Sequence, residues 1–476
     1  MYLSSGVIVT LAGFITFPIW TRVFTEAEYG EMSLATATLG IIIVFSKFGL
    51  QRAALRFYSE FKENKYNLDI TYYYTTAFLS ILIISFTMAA IFGLVVEFYP
   101  GKLDAQYTEI LRILSLLIIS DALNDIFLMF LRAEQNVKLH SIIKIIGRYS
   151  RVCVTVLFVL VLKLGLLGFF VGWALVDALI AAILFMIFLK QGKIKFRNIS
   201  ISLFKESLSY GLPLIGFELS ALLLNTGDRF LLQYFLGSAA VGIYSAAHNL
   251  TKYFVDFFSN PFRLAVMPFF MSIWEKKGKE ETQHFLSSVI KLYFMIGVPI
   301  IFAVSFIGRD IIVLLASKKF EEGYIIMPFV ITGFVIYKAN FIYGAGLYLK
   351  KKTIILLIIN FIAAVINIIL NIIMIPSMKL YGAAISTLIA HLIEVVLVVS
   401  VSFRTVSFKF PLSTILKYVA ISIIMVFVML NIHTPGSAQT FVRVIAGFLT
   451  YGTGILLLET EVRTKAGILL HKIFAR

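Results

Sequence analysis

The chain has 476 residues, 60% of them hydrophobic and only 14% charged, with a mean hydropathy of +0.93 and a formal net charge of +16. A soluble domain carries about 25% charged residues, so this composition excludes one, and the positive charge reads as basic loops beside a bilayer rather than as an affinity for nucleic acid. Cys153 is the single cysteine, which excludes an intrachain disulfide and argues against a cysteine-bound metal.

Apolar blocks of about twenty residues, the length of a bilayer-spanning helix, recur from end to end. The opening MYLSSGVIVTLAGFITFPIW has no basic start and no small-residue cleavage site, so it is expected to stay as a first span. Spans are expected at 3–21, 32–50, 72–96, 110–131, 141–162, 166–189, 209–235, 241–271, 284–307, 324–348, 354–375, 380–403, 412–431 and 440–458. The 241–271 block is too long for one straight crossing. Pro261 and Pro268 point to a kink there, or to an extension on the cytoplasmic side.

With Met1 in the cytoplasm, the inner segments gather clusters such as Arg52, Arg56, Lys62 and Lys65, then Lys190, Lys193, Lys195 and Arg197, then Lys350, Lys351 and Lys352. The outer loops hold only Arg22, Lys102, Lys163, Arg309, Lys318, Lys319 and Lys379. The positive-inside rule therefore places both termini in the cytoplasm and asks for an even number of spans. The longest outer loop, near 308–323, leaves no room for an external catalytic domain.

The first half echoes in the second. At an offset of 212 residues Gly30 meets Gly242, Ser33 meets Ser245, Phe45 meets Phe257 and Phe57 meets Phe269. Near 214, Gly168 meets Gly382, and near 216 the loop LRAEQNVK meets LYLKKKT. Spans 1–6 and 7–12 thus read as two copies of one unit in parallel orientation, a symmetry that places substrate between the halves in transporters. The expected fold is all-α and polytopic, with about 14 transmembrane helices. Two pseudo-symmetric six-helix bundles surround a central cavity, and two C-terminal helices follow. The lobes are expected at 1–206 and 207–403, and the extra helices with a cytoplasmic tail at 404–476.

The stretch SAAHNLTKYFVDFFSNPFRLAVMPFF (245–270) carries ionisable groups inside a span. On a helix, His248, Lys252, Asp256, Ser259 and Arg263 fall within an arc of about 80°. Each charge at the bilayer centre costs at least ~2.5 kcal/mol on insertion scales, so this face turns to a partner helix or to a wet cavity. In the preceding span Glu218, Asn225 and Arg229 share a face, with Asp228 beside them. An antiparallel pairing of the two spans sets Arg229 level with His248, Asn225 with Lys252, and Glu218 within reach of Asp256 or Arg263. In the segment 241–271 Lys252 and Arg263 outnumber Asp256, which suits an anionic guest. The 212 offset maps the ladder onto a less charged face in the first half, where Lys47 is the deep charge and Arg52 lies just beyond.

A second cluster joins Asp121 and Asp125 in span 4 to Lys144, Arg148 and Arg151 in span 5. Matching depth gives the pairs Asp125/Arg148 and Asp121/Arg151, either as structural ion pairs or as a proton or ion relay. His391 and Glu394 in span 12 form a similar relay or a polar seam. Lys291 and Lys338 are expected to snorkel. No G-x-x-x-x-G-K-[ST] occurs, so no ATP-driven motor is encoded here. No His/Glu zinc pattern and no G-x-S-x-G occurs either.

Three segments carry a family resemblance: TRVFTEAEYGEMSLATATL (21–39), LSYGLPLIGFELSALLLNTGDRFLLQYFLGSAAVGIYSAAHNL (208–250) and LYLKKKT (347–353). They resemble the polysaccharide-biosynthesis flippases of the multidrug/oligosaccharidyl-lipid/polysaccharide exporter superfamily. The second segment is the most specific, with its Gly-Leu-Pro entry, the Asp-Arg pair and Gly-x-Tyr-Ser. The resemblance implies two six-helix bundles in a V around a cavity with alternating access. It implies movement of polyprenyl-diphosphate-linked oligosaccharide from the inner to the outer leaflet of the cytoplasmic membrane. Two extra C-terminal helices, as in lipid II flippases, would offer a groove for the lipid tail. A diphosphate calls for cationic donors. The residues expected to line the cavity are Arg22, Lys47, Arg52, Glu218, Asn225, Asp228, Arg229, His248, Lys252, Asp256 and Arg263. Arg22 and Arg229 sit near the outer side, either as a gate or as interface anchors.

Coupling to an H⁺ or Na⁺ gradient would fall to Asp121, Asp125, Asp256, His391 or Glu394, with no cofactor and no metal. The implied partners are the lipid-linked oligosaccharide, membrane lipids, and a polymerase with other polysaccharide-assembly proteins; nucleic acid is not among them. Rival readings are lipid II itself as cargo, a drug exporter, and a membrane polymerase or glycosyltransferase. The exporter would want a dominant acidic group, and the enzyme a large outer loop.

Overall fold

The computed structural model describes residues 2–63, 66–98, 105–433, 438–459 and 463. Among these the chain forms α1 (Tyr2–Val23), α2 (Glu26–Lys47), α3 (Leu50–Lys62), α4 (Ile70–Phe98), α5 (Ala105–Ala133), α6 (Val137–Val156), α7 (Gly165–Lys190) and α8 (Ile201–Leu236). There follow α9 (Ser238–Leu315), α10 (Met327–Lys338), α11 (Asn340–Tyr343), α12 (Ala345–Leu349), α13 (Thr353–Met378), α14 (Leu380–Ser402), α15 (Leu412–Leu430) and α16 (Ala438–Leu458). No strand occurs among the described residues. Eleven helical segments are long and apolar enough to cross a bilayer, with α9 counted once. The other expected spans, 3–21 and 141–162, fall on α1 and α6. The tail expected on the cytoplasmic side lies, apart from Glu459 and Arg463, outside the described residues, as do Lys65 and Lys102.

Helix starts and breaks follow local chemistry. Thr25 and Glu28 close a capping box at the head of α2: the Thr25 hydroxyl accepts from the Glu28 amide at 3.2 Å, and the Glu28 carboxylate accepts from the Thr25 amide at 2.8 Å. This explains the TEAE of the first family-like segment. Between α2 and α3, Phe48 (φ 46°) and Gly49 (φ 69°) turn left-handed and bend the chain. The long block at 241–271 is not interrupted at its prolines. α9 runs through Pro261 and Pro268 with helical angles and leaves helical geometry only at Gly278 (φ 81°, ψ −162°), so the extension is the feature seen. The span expected at 324–348 is instead broken into α10, α11 and α12 at Ala339 and Gly344.

Packing divides the chain into two compact units, Met1–Gly242 with Asn360–Ile368, and Ile243–Ile359 with Ile369–Arg476. Packing thus keeps α8 in the first unit, whereas the repeat starts the second lobe at 207. The two divisions answer different questions, and the repeat-based limits 1–206, 207–403 and 404–476 stand as a proposal.

In the first unit α5 is the hub, packing on α2, α3, α4 and α7. Its basic end is closed by a cluster of rings from α3, α4, α5 and α7 that includes Phe57, Tyr73, Tyr74, Phe127, Phe130 and Phe188. The polar tips are satisfied: Tyr73 donates to the Ala54 carbonyl at 2.9 Å, and Tyr74 and Lys193 both donate to Glu134 at 2.6 Å. In the second unit α14 packs on α10, α11 and α12, and α15 pairs with α16. α16 is tied to the second limb of α9 by Tyr451, which donates to the Met295 carbonyl at 2.8 Å, and by Arg443 to Asp310 at 3.2 Å.

The internal repeat has a backbone signature. Gln135 (φ 59°) and Lys351 (φ 55°) are both left-handed, and so are Lys163 (φ 55°) and Lys379 (φ 51°), each pair 216 positions apart. The amide of Asn136 donates to Leu131 at 2.9 Å and that of Lys352 to Leu347 at 2.9 Å; Gln135 donates to Arg132 at 3.1 Å and Lys351 to Tyr348 at 3.1 Å. One turn is therefore built twice, at the register expected from the sequence.

Gly30 and Gly242 show the same reciprocity at the 212 offset. A methyl on Gly30 would lie 1.9 Å from the Ser238 carbonyl oxygen, and one on Gly242 would lie 1.8 Å from that of Glu26. Small residues let backbones approach where no water drives helices together. Gly30→Ala and Gly242→Ala are each expected to lower stability by about 1–3 kcal/mol, the usual cost of overpacking. Gly227→Ala, which meets nothing within 4 Å, is expected to be neutral. Thermal midpoints of the detergent-solubilised variants check this, and equal midpoints for all three would contradict it.

Candidate functional site

In the first unit three ion-pair clusters link helices. At the end of α2, buried Lys47 lies against both span-4 acids, 3.3 Å from Asp121 and in direct contact with Asp125. Arg151 of α6 pairs at 2.5 Å with Asp177 of α7, which is 1% exposed and also accepts from the Trp173 indole at 2.9 Å. The expected pairs Asp125/Arg148 and Asp121/Arg151 are thereby corrected. The acids of α5 turn to α2, and Arg151 turns to an aspartate that depth-matching of adjacent spans did not consider. Asn124, between the two α5 acids, donates to the Asp177 carbonyl at 3.0 Å, and Arg151 and Asp177 lie within electrostatic reach of Asp121.

The third cluster depends on a close backbone approach. A methyl on Gly49 would lie 2.2 Å from the Gly211 carbonyl oxygen, so α3 begins against the Gly-Leu-Pro entry of α8. Two turns further along α8, Glu218 receives Arg52 at 2.7 Å and Gln51 at 3.4 Å. Glu218 is thus matched by α3, in place of the partners Asp256 or Arg263 expected for it. Asn225 spends its amide on the Ala221 carbonyl of its own helix at 2.6 Å. Asp228 and Arg229 are both buried, and Arg22 is exposed at the end of α1.

In the second unit the α9 ladder separates into distinct environments. His248 is buried, with its ring stacked on Tyr244 and edge-on to Phe334 of α10. Ser259 is buried, and Lys252 is half-buried. Asp256 is paired at 2.8 Å with Lys338, the last residue of α10, so Lys338 does not snorkel as expected. Arg263 is exposed and has no ion-pair partner among the described residues; it lies within electrostatic reach of Tyr348 on α12.

Beside the break between α10 and α11 lies a buried polar cluster. His391 and Glu394 of α14 are 1% and 2% exposed, and 3.9 Å separates Nδ1 from Oε2, too long for a hydrogen bond. Asn340 donates to Glu394 Oε1 at 3.1 Å, and the Tyr337 ring stacks on His391 at 4.4 Å. Glu394 Oε2, both His391 nitrogens and Asn340 Oδ1 make no hydrogen bond among the described residues. Buried polar atoms are nearly always paired, so this cluster has capacity to hold a proton or a cation.

The family described as polysaccharide biosynthesis protein matches residues 1–274. The chain belongs to that family. The MatE family matches residues 213–373 as well. The chain is 24% identical over 465 residues to a probable low-salt glycan biosynthesis flippase, Agl15, of Haloferax volcanii, a match covering 95% of this chain and 93% of that protein. It is also 24% identical over 383 residues to an uncharacterized membrane protein, MJ1068, of Methanocaldococcus jannaschii, covering 74% of this chain and 73% of that one. In fold it is similar to the inward closed conformation of the lipid II flippase MurJ, with a TM-score of 0.79 at 17% identity over 97% of this chain and 99% of that one. An inward-facing multidrug resistance MATE family transporter of the MOP superfamily gives a TM-score of 0.66 at 14% identity, over 84% and 94%.

The sequence reading passed over Asp177 and Asn340, and gave Lys338 no ion-pair partner. Asp177 had a clear signal, a lone acid within VGWALVDALIAAIL, since an intramembrane acid calls for a partner. Lys47→Met is expected to destabilise the first unit by leaving Asp121 and Asp125 without their shared cation. Adding Asp125→Asn should restore part of the loss. The thermal midpoints of the single and double variants decide this, and an unchanged midpoint for Lys47→Met would contradict the assignment.

Proposed function

We propose that this family member flips a polyprenyl-diphosphate-linked oligosaccharide from the inner to the outer leaflet of the cytoplasmic membrane by alternating access. It acts as a transporter and not an enzyme, serving cell-surface polysaccharide synthesis, with both termini in the cytoplasm. The observation that carries this reading is the likeness to a glycan-biosynthesis flippase along nearly the whole of both chains.

The residue chemistry supports it. A diphosphate needs cationic donors, and an arginine fork serves it best. Lys47 and Arg52 are already matched by carboxylates. We assign both to packing of the first unit. In the segment 241–271 the one acid, Asp256, is matched by Lys338, and the two basic residues there are half-buried Lys252 and exposed Arg263. These two cations hold the headgroup, three helical turns apart, about 16 Å along the axis. His391 and Glu394, with Asn340, take up the coupling H⁺ or Na⁺. Lipid II as the cargo is the second reading, favoured by the α15–α16 pair tied to α9. It differs in the glycan and not in the diphosphate chemistry.

Arg263→Ala and Lys252→Ala are each expected to weaken binding of a polyprenyl-diphosphate oligosaccharide by about tenfold, the effect of one lost charged hydrogen bond. Titration of the detergent-solubilised variants measures it, and wild-type affinity in both would sink the headgroup assignment. Glu394→Gln should bind this lipid normally while its transport no longer responds to an imposed H⁺ or Na⁺ gradient. A wild-type gradient response would remove Glu394 from the coupling role.

A further inference from the structure

On the first unit, α4, α5 and α7 leave an open apolar groove of about 750 Å³, within the size range of ligand sites. Its floor is the small-residue ridge Ala174, Ala178 and Ala181 of α7, which holds the neighbouring side chains apart. Leu116 of α5 stands at one wall, 64% exposed, and Phe185 and Phe196 close the base. The one hydroxyl in the lining, Ser120, is spent on the Leu116 and Leu117 carbonyls of its own helix. From Phe185 to Val171 the groove follows α7 for about 21 Å of helical rise. Helix packing in hydrocarbon rests on van der Waals contact, so such a gap forfeits contacts unless a flexible chain fills it.

The base of the groove is strongly basic. Phe196 lies between Lys195 and Arg197, all three exposed, and Lys190 at the end of α7 is exposed too. The loop is fixed to the start of α4: the Lys195 amide donates to Thr75 at 2.9 Å and Asn198 donates to Thr71 at 2.6 Å. Lys193 is used internally by Glu134, and Arg197 has no ion-pair partner among the described residues. Asp69 lies within electrostatic reach of Lys195; its carboxyl is held below the usual range mainly by hydrogen bonds from Thr71, with Lys195 a lesser influence.

We propose that this groove is a binding site for an anionic membrane lipid, with an acyl chain lying along α7 over the alanine ridge and the phosphate held by Lys195 and Arg197. Basic pockets between membrane helices recognise anionic headgroups in this way. The site is separate from the α9 face and does not depend on the identity of the cargo.

Native mass spectrometry of the full chain, with phosphatidylglycerol and phosphatidylcholine supplied equally, tests the proposal. The wild type should retain one phosphatidylglycerol in preference to phosphatidylcholine. Lys195→Gln with Arg197→Gln should weaken phosphatidylglycerol retention about thirtyfold, near fivefold for each cation, and erase the preference. Ala178→Leu, a lipid-facing change that fills the floor, should lower retention of both lipids. The double variant alters only exposed loop residues and keeps the test decisive if Ala178→Leu does not fold. Equal retention of the two lipids by the wild type, or wild-type retention in the double variant, would overturn the assignment.

Discussion

A charge inside a bilayer must find an opposite charge or a set of donors on another helix. An isolated one costs about 2.5–3.5 kcal/mol on insertion scales and more in continuum pictures. That constraint sets the packing of this protein. Lys47 binds α2 to α5, Arg151 binds α6 to α7, and Lys338 binds α10 to α9. Each pair fixes rotation and depth of two helices, because slipping either by one residue turns a charge towards lipid. The apolar surface between them specifies little, since lipid chains are as apolar as leucine. Large exposed side chains such as Phe86 and Phe448 face outwards at no penalty.

Backbone devices supply the rest of the geometry. Glycines admit the closest approaches, Gly30 with Gly242 and Gly49 with Gly211, and left-handed residues make the breaks. The break at Phe48–Gly49 brings Arg52 to Glu218. The break at Ala339 leaves Asn340 beside Glu394, so a polar side chain meets a buried carboxylate where helical backbone pairing is interrupted.

The sequence was most legible where the signal is long or repeated. Apolar blocks located the helices, and the offsets of 212 and 216 found true structural equivalents, down to a turn with the same hydrogen bonds in both halves. Ion-pair partners were less legible. Matching depths between consecutive spans assigned Asp121 and Asp125 to α6, because chain order reveals only sequential neighbours. Their partner Lys47 comes from α2, two expected spans earlier, and the separation of 78 positions between Lys47 and Asp125 carries no trace of the contact. Asp256 with Lys338 escaped for the same reason. Polar residues of α9 that share one face by helical periodicity also divide by environment, from buried His248 to exposed Arg263. Periodicity fixes direction around a helix axis and not what waits there.

The α9 cations and the His391–Glu394 cluster belong to different helices of the second unit, so the headgroup recognition and ion uptake proposed for them are chemically separable. The direct measurement is translocation in proteoliposomes: a polyprenyl-diphosphate oligosaccharide is loaded in one leaflet and its accessibility from the other side is followed. The expected result is protein-dependent appearance of the glycan on the opposite face. No movement of any lipid-linked sugar, together with gradient-driven uptake of organic cations, would contradict the flippase function and leave a drug exporter in its place.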